Sequence, residues 1–279
     1  MKKVGLILEG GGTKGIFTAG ALDYLQSSHI SLPYVVSVSI GTCNAVNYLS
    51  KQRGRTKECL IPNRQRTPLI HWKHLVKKKT WIDVDRIFAD EETPFDYEMY
   101  RNSNIQSEYV VTNCLTGKAE YLAEKSNCKR LQSICLASCS VPYISSITMV
   151  DGIPYLDGGI SDAIPIRHAI ELGYEKNIVV LLKERGYRER DSASLKALSR
   201  VFYHKYPNLI EALDHRISSY NESLCYLERL EKEGKVLILS PDKVLIGRAS
   251  NNVCRMKEFY QQGYALVKRR ENEIRKFIN

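Results

Sequence analysis

Along this chain, short apolar runs alternate with stretches whose apolar residues recur every three or four positions, which predicts strands and helices taking turns. Val4 to Leu8 is a β-prone run closed by Glu9 and three glycines, so it predicts a buried first strand; Ile16, Phe17, Ala21, Leu22 and Leu25 follow at helical spacing. Val35, Val36 and Val38 predict a second buried strand, and Gly41 with Asn44 to Leu49 a second helix. Glu108 to Cys114 and Ala119 to Leu122 flank Leu115-Thr116-Gly117-Lys118, a hairpin signal. A helix is expected over Lys129 to Ser138. Ile147 to Val150 then turns through Asp151-Gly152-Ile153-Pro154 into Tyr155-Leu156 and Asp157. Ile164-Pro165-Ile166 leads into a helix through Leu172, and Asn177 to Leu182 is a continuous apolar strand. Alternation of this kind predicts an α/β fold in three layers, with a mostly parallel central sheet and helices on both faces.

From Asp191 the pattern changes. Leu209, Leu213, Ile217, Tyr220, Leu224, Leu227 and Leu230 form an apolar stripe on one long helix, which Gly234 ends. Val236 to Leu239 supplies a late strand, and Met256, Phe259, Tyr260, Leu266, Val267 and Ile274 mark a closing helix. The expected organisation is therefore an α/β unit over residues 1–190 with a mainly helical C-terminal region, 191–279, packed on it. Arg53 to Pro94 lacks clear periodicity and reads as a loop or helical excursion, a basic lid over about 53–94.

Charge sharpens the picture of that lid. Of the formal net charge of +10, most arises between Lys51 and Thr80, where ten Lys and Arg face Glu58 alone. Such a patch attracts phosphates of lipid headgroups, nucleic acid or small substrates, and salt weakens it. One reading is a solvated surface. The other is an interfacial segment, with Trp72 and Trp81 among headgroups and Lys77-Lys78-Lys79 at their phosphates. No base-reading module accompanies the patch, so nucleic acid is not an expected partner. The eight cysteines show no C-x-x-C pair and no zinc spacing, which fits reduced thiols in the cytoplasm. The run Val4 to Leu8 is too short for export or for spanning a membrane. Neither a metal nor a cofactor is expected.

Three stretches carry candidate chemistry. Gly10-Gly11-Gly12-Thr13-Lys14-Gly15 joins the first strand to the first helix, and such a loop can turn several backbone amides toward one anion. Its spacing satisfies G-x-G-x-x-G, yet no Asp or Glu lies between Tyr24 and Lys57 to hold a ribose, so a dinucleotide site falls behind. Lys14 precedes Gly15 and no Ser or Thr follows it directly, so the loop is not a Walker loop. The remaining reading is an oxyanion hole built from the amides of Gly10 to Thr13. Ser37-Val38-Ser39-Ile40-Gly41 puts Ser39 on a sharp strand-to-helix turn, close to the G-x-S-x-G nucleophile elbow but with serine at the first glycine. Ser39 is either a nucleophile or a cap for the following helix. Asp157-Gly158-Gly159 offers a carboxylate as general base or its orienter, or else an ordinary turn aspartate.

In this order, the glycine loop, Ser39 on its turn and Asp157-Gly158-Gly159 resemble the patatin-like phospholipases, most closely the short bacterial members. The likeness extends through Cys43-Asn44-Ala45, Val111-Thr112-Asn113 and Lys205-Tyr206-Pro207-Asn208. It implies a Ser-Asp dyad that cleaves lipid acyl esters without histidine, with Ser39 as nucleophile and Asp157 as base. The glycine loop is the implied oxyanion hole, and Lys14 the implied contact for an anionic headgroup. Gly15, Ser37, Gly41, Gly158 and Gly159 support the motifs. The expected function is a serine acyl hydrolase acting on a lipid or lysophospholipid ester, with peripheral contact to anionic membranes expected through residues 51–80. The competing expectation is a catalytically weak peripheral membrane or phosphate-binding protein of the same fold. His168, His204 and His215 follow the acid but none follows a late strand, so surface or supporting roles are expected for them.

Overall fold

The structure, a computed structural model, describes residues 3–63, 70, 80, 82–190 and 193–279. Trp72, Trp81 and Lys77 to Lys79 of the expected lid lie outside the described residues. Eight strands form one sheet: β1 (Val4–Leu8), β2 (Tyr34–Val38), β3 (Gln106–Asn113), β4 (Ala119–Leu122), β5 (Thr148–Val150), β6 (Ile153–Asp157), β7 (Lys176–Val180) and β8 (Val236–Leu239). Their order is β5-β6-β3-β2-β1-β7-β8, with β4 also on β3. The run β3-β2-β1-β7-β8 is parallel, whereas β4 and β6 pair antiparallel with β3.

Alternation along the strands separates two cores. Leu6, Leu8, Val35, Ile178 and Val180 face one hydrophobic cluster; Ile7, Tyr34, Val36, Val38 and Val179 face the other. The first is covered by α1 (Gly15–Ser27), α2 (Ile40–Leu49) and α10 (Val253–Arg269), numbering the helices in chain order. Between them lie α3 (Arg55–Leu60), α4 (Asp85–Ala89), α5 (Tyr97–Arg101), α6 (Cys128–Ser138), α7 (Ile166–Glu171), α8 (Ala193–Phe202) and α9 (Pro207–Lys232). The second cluster takes Ile166 and Ala169 from α7 and Tyr220, Leu224, Leu227 and Leu230 from α9. Helices thus cover both faces of a mostly parallel sheet, as the apolar pattern requires.

One local feature departs from the sequence reading: the closing helix is two helices, α10 and α11 (Glu271–Ile278), separated at Arg270. The expected late strand is β8, which pairs with β7 and extends the central sheet. α10 packs on α1 at glycine-width distance: a Cβ on Gly20 would lie 2.1 Å from the Tyr260 carbonyl oxygen, and one on Gly263 2.1 Å from that of Phe17. From the basic stretch, Arg55 is buried and bonds Asn47 Oδ1, the Ile87 carbonyl and the Thr93 carbonyl, so it serves the fold. No helix among the described residues is long and apolar enough to cross a membrane.

Candidate active site

Ser39 stands between β2 and α2 with φ 55° and ψ −126°. Outside glycine such a conformation costs about 1–3 kcal/mol, so its surroundings must impose it. The Ser39 amide donates to Ser138 Oγ at 2.9 Å, and Ser138 Oγ donates to the Val110 carbonyl at 2.8 Å. Thr42 Oγ1 lies 3.0 Å from the same hydroxyl. Gly41 permits the tight turn, since a Cβ there would lie 2.7 Å from the Leu8 carbonyl oxygen. The Ser39 side chain makes no capping hydrogen bond to α2, which removes the cap as its role. Ser37 lies inside β2 and is absent from the positive-φ residues, so the position makes no demand for glycine. Its hydroxyl instead donates to Thr42 Oγ1 at 3.4 Å, within the group of side chains that brace the turn.

Asp157 ends β6 and is 7% exposed. Its Oδ1 accepts the Gly159 amide at 2.8 Å, so one oxygen does serve the turn, as a turn aspartate does. Burial raises its pKa; the Ser39 hydroxyl, the Gly159 amide and the charges of Arg216 and Arg248 oppose that rise without cancelling it. Sheet register explains how the serine and the acid meet. Val38 pairs with Val110 and Asp157 with Val111, while β4 occupies the opposite edge over Tyr109 to Thr112. β2 and β6 therefore run end to end along one edge of β3, and Ser39 and Asp157 lie where they abut. Gly158 allows this closeness, because a Cβ there would sit 2.2 Å from the Val110 carbonyl oxygen.

The glycine loop closes the third side. A Cβ on Gly10 would lie 2.8 Å from Ser39 Cβ; Gly12, at φ +62°, leaves no room for one against the Arg248 carbonyl. The amides of Gly10, Gly11 and Gly12 have no intramolecular partner among the described residues. Thr13 differs and corrects the expectation that its amide joins them: that N–H donates to the Arg248 carbonyl at 2.9 Å. The Thr13 hydroxyl donates to the Gly247 carbonyl and accepts the Ser250 amide, so Thr13 fastens the loop to residues 247–250. Gly15 opens α1, and a Cβ there would crowd Ile40 at 2.8 Å. Lys14 is half-buried and is not among the cleft-lining residues; burial, then repulsion from Lys183 and Arg248, lowers its pKa to about 8.

Ser39, Asp157 and Gly10 to Gly12 line one cleft of about 100 Å³, with Ile82, Val141, Pro142 and Ile160 as apolar wall. Its other wall is charged: Glu9, Lys183, Glu189, Arg216 and Arg248, with the Tyr220 hydroxyl. Sequence reasoning missed this group. The signal for Lys183 was its place just past the carboxyl end of an apolar parallel strand, where ligands of such sheets gather. Among the described residues no histidine lines the cleft. His168 bonds Glu108 at 2.7 Å and stacks on Tyr121, while His204 and His215 are exposed and contact backbone carbonyls. His71 and His74 lie outside the described residues.

A family model described as a domain of unknown function (DUF6363) matches residues 206–279, which include the cleft residues Arg216, Tyr220 and Arg248. Uncharacterized protein YjjU of Escherichia coli (strain K12) is 24% identical over 279 residues, covering 94% of this chain and 75% of that protein. VipD from Legionella pneumophila superposes with a TM-score of 0.49 at 14% identity, over 96% of this chain and 67% of that one.

Proposed function

We propose that the protein is a serine acyl hydrolase that cleaves a lipid or lysophospholipid carboxylic ester through Ser39 and Asp157. The observation that carries this reading is the strained Ser39 beside a buried carboxylate, in one cleft with three unpartnered glycine amides. A backbone held at positive φ persists where surrounding contacts over-determine it, and such strain gathers at functional sites. The resemblance of the three motifs to the patatin-like phospholipases supports the same reading.

In the proposed reaction, Asp157 takes the Ser39 proton as Oγ attacks the ester carbonyl carbon. The amides of Gly10, Gly11 and Gly12 receive the oxyanion, aided by the positive end of α1. Collapse of the tetrahedral intermediate breaks the C–O bond, and the alcohol leaves with the proton that Asp157 returns. Asp157 then deprotonates water, which attacks the acyl-enzyme, and returns that proton to Ser39 Oγ as the acyl C–O bond breaks and the fatty acid forms. With Oδ1 on the Gly159 amide, the second carboxylate oxygen is the one for Ser39. The basic stretch 51–80, apart from Arg55, is proposed to contact anionic membranes; cosedimentation with anionic but not neutral vesicles, lost at high salt, tests it.

Labelling with a fluorophosphonate probe tests the chemistry. The wild type is expected to label, Ser39→Ala to fail, and Asp157→Asn to label at least about a hundredfold more slowly. Full labelling of Ser39→Ala, or loss of labelling in a folded His71→Ala or His74→Ala variant, would overturn the dyad.

A further inference from the structure

Lys183 leaves the end of β7 for the wall of the cleft and is only 6% exposed. Among the described residues it makes no hydrogen bond or ion pair, resting 4.1 Å from the Tyr187 ring centroid and 5.7 Å from that of Tyr220. A buried ammonium without an acceptor is disfavoured, and the nearby carboxylates are already committed. Glu9 accepts from the Leu182 amide and the Tyr220 hydroxyl, and burial pushes its pKa up. Glu189 Oε1 accepts from Arg216 at 2.9 Å and from Arg248 at 3.3 Å. Burial raises the Glu189 pKa, but Arg216, Arg248 and Lys183 outweigh it and hold the carboxyl below its ordinary value. Asp157 faces Ser39. Lys183, Arg216 and Arg248 thus line the cleft beside Glu9 and Glu189; the two arginines share Glu189, and Lys183 has no acceptor among the described residues.

We propose that Lys183, Arg216 and Arg248 form a subsite for a phosphate-type dianion, and that the ester cleaved at Ser39 carries such a group. Three cationic groups, one of them without an acceptor among the described residues, match a phosphomonoester better than a carboxylate. Two guanidinium forks and an ammonium suit its three terminal oxygens. A phosphocholine headgroup would bring a second cation into a positive wall, so zwitterionic esters are the disfavoured class. Thr13 supports the arrangement, since its bonds to residues 247–250 fix the Arg248 backbone beside the glycine loop. The binding half stands independently; the substrate half rests on the hydrolase reading.

Titration calorimetry of glycerol 3-phosphate, glycerol and inorganic phosphate into the Ser39→Ala protein separates the two halves, because binding there requires no turnover. Glycerol 3-phosphate is expected to bind and glycerol not. Adding Lys183→Met or Arg248→Gln is expected to weaken binding about tenfold or more, with Lys183→Arg restoring it in part. In the wild type, kcat/KM for a lysophosphatidic acid is expected to exceed that for the phosphocholine ester of the same chain, and Lys183→Met to reduce that ratio. Absence of glycerol 3-phosphate binding, or binding unchanged in folded Lys183→Met and Arg248→Gln, would overturn the subsite. Inorganic phosphate binding as tightly as glycerol 3-phosphate, with no preference for the phosphomonoester in turnover, would overturn the substrate assignment. Binding without any ester turnover would leave the subsite standing and remove the hydrolase reading.

Discussion

At Ser39 and Asp157 the chain accepts local costs that single substitutions can relieve. Glycine adopts φ 55° without the Cβ penalty, so Ser39→Gly is expected to raise stability by about 1 kcal/mol in urea unfolding while abolishing probe labelling. Asp157 is pushed above the ordinary aspartate range, chiefly by burial. A base must be ionised to act, so the acid limb of kcat/KM is expected above the pH at which an exposed aspartate titrates. Activity is then lost as pH falls through that limb. The same shift opposes folding, because a carboxyl whose folded pKa is raised binds its proton more tightly in the native state. The penalty is full above the folded pKa and fades as pH drops toward the unfolded value. Asp157→Asn is therefore expected to raise Tm at neutral pH, with the gain vanishing in acid, in scans across pH.

Among the elements, glycines at close approaches serve different ends, and their replacement separates stability from chemistry. Gly263 lets α10 lie against the backbone of α1 and is not among the residues that line the cleft. Gly263→Val is expected to cost about 1–3 kcal/mol in denaturant unfolding and to leave labelling rates unchanged well below its Tm. Gly12 combines φ +62° with contact to the Arg248 carbonyl, so Gly12→Ala must displace the loop that holds the free amides. A slower labelling rate, out of proportion to any change in Tm, is its expected signature. Much at this scale was legible in the sequence. The runs Val4–Leu8 and Val236–Leu239 form strands with the bounds their apolar character indicated, and the Gly117 and Gly152 turns join the strands they punctuate. The break at Arg270 was not, because the apolar spacing of α10 continues to Ile274 and carries no local stop signal.

For the whole molecule, the C-terminal region is built into the α/β unit. β8 covers the edge of β7, α10 covers α1, and Arg216, Tyr220 and Arg248 complete the cleft. Residues 1–190 expressed alone are accordingly expected to show no cooperative thermal transition, whereas the full chain melts cooperatively; circular dichroism distinguishes the two. The sequence by itself determined the alternation of elements, the α/β class, and the three stretches that carry the proposed chemistry. Periodicity, glycine placement and turn residues are local properties, readable within a few positions. The tertiary structure alone decided that β6 abuts β2 along one edge of β3, bringing together two residues 118 positions apart, Ser39 and Asp157. It alone gathered Lys183, Arg216 and Arg248 on one wall and committed the Thr13 amide to Arg248. Strand register and side-chain convergence arise from packing between distant segments, and no spacing along the chain encodes those contacts.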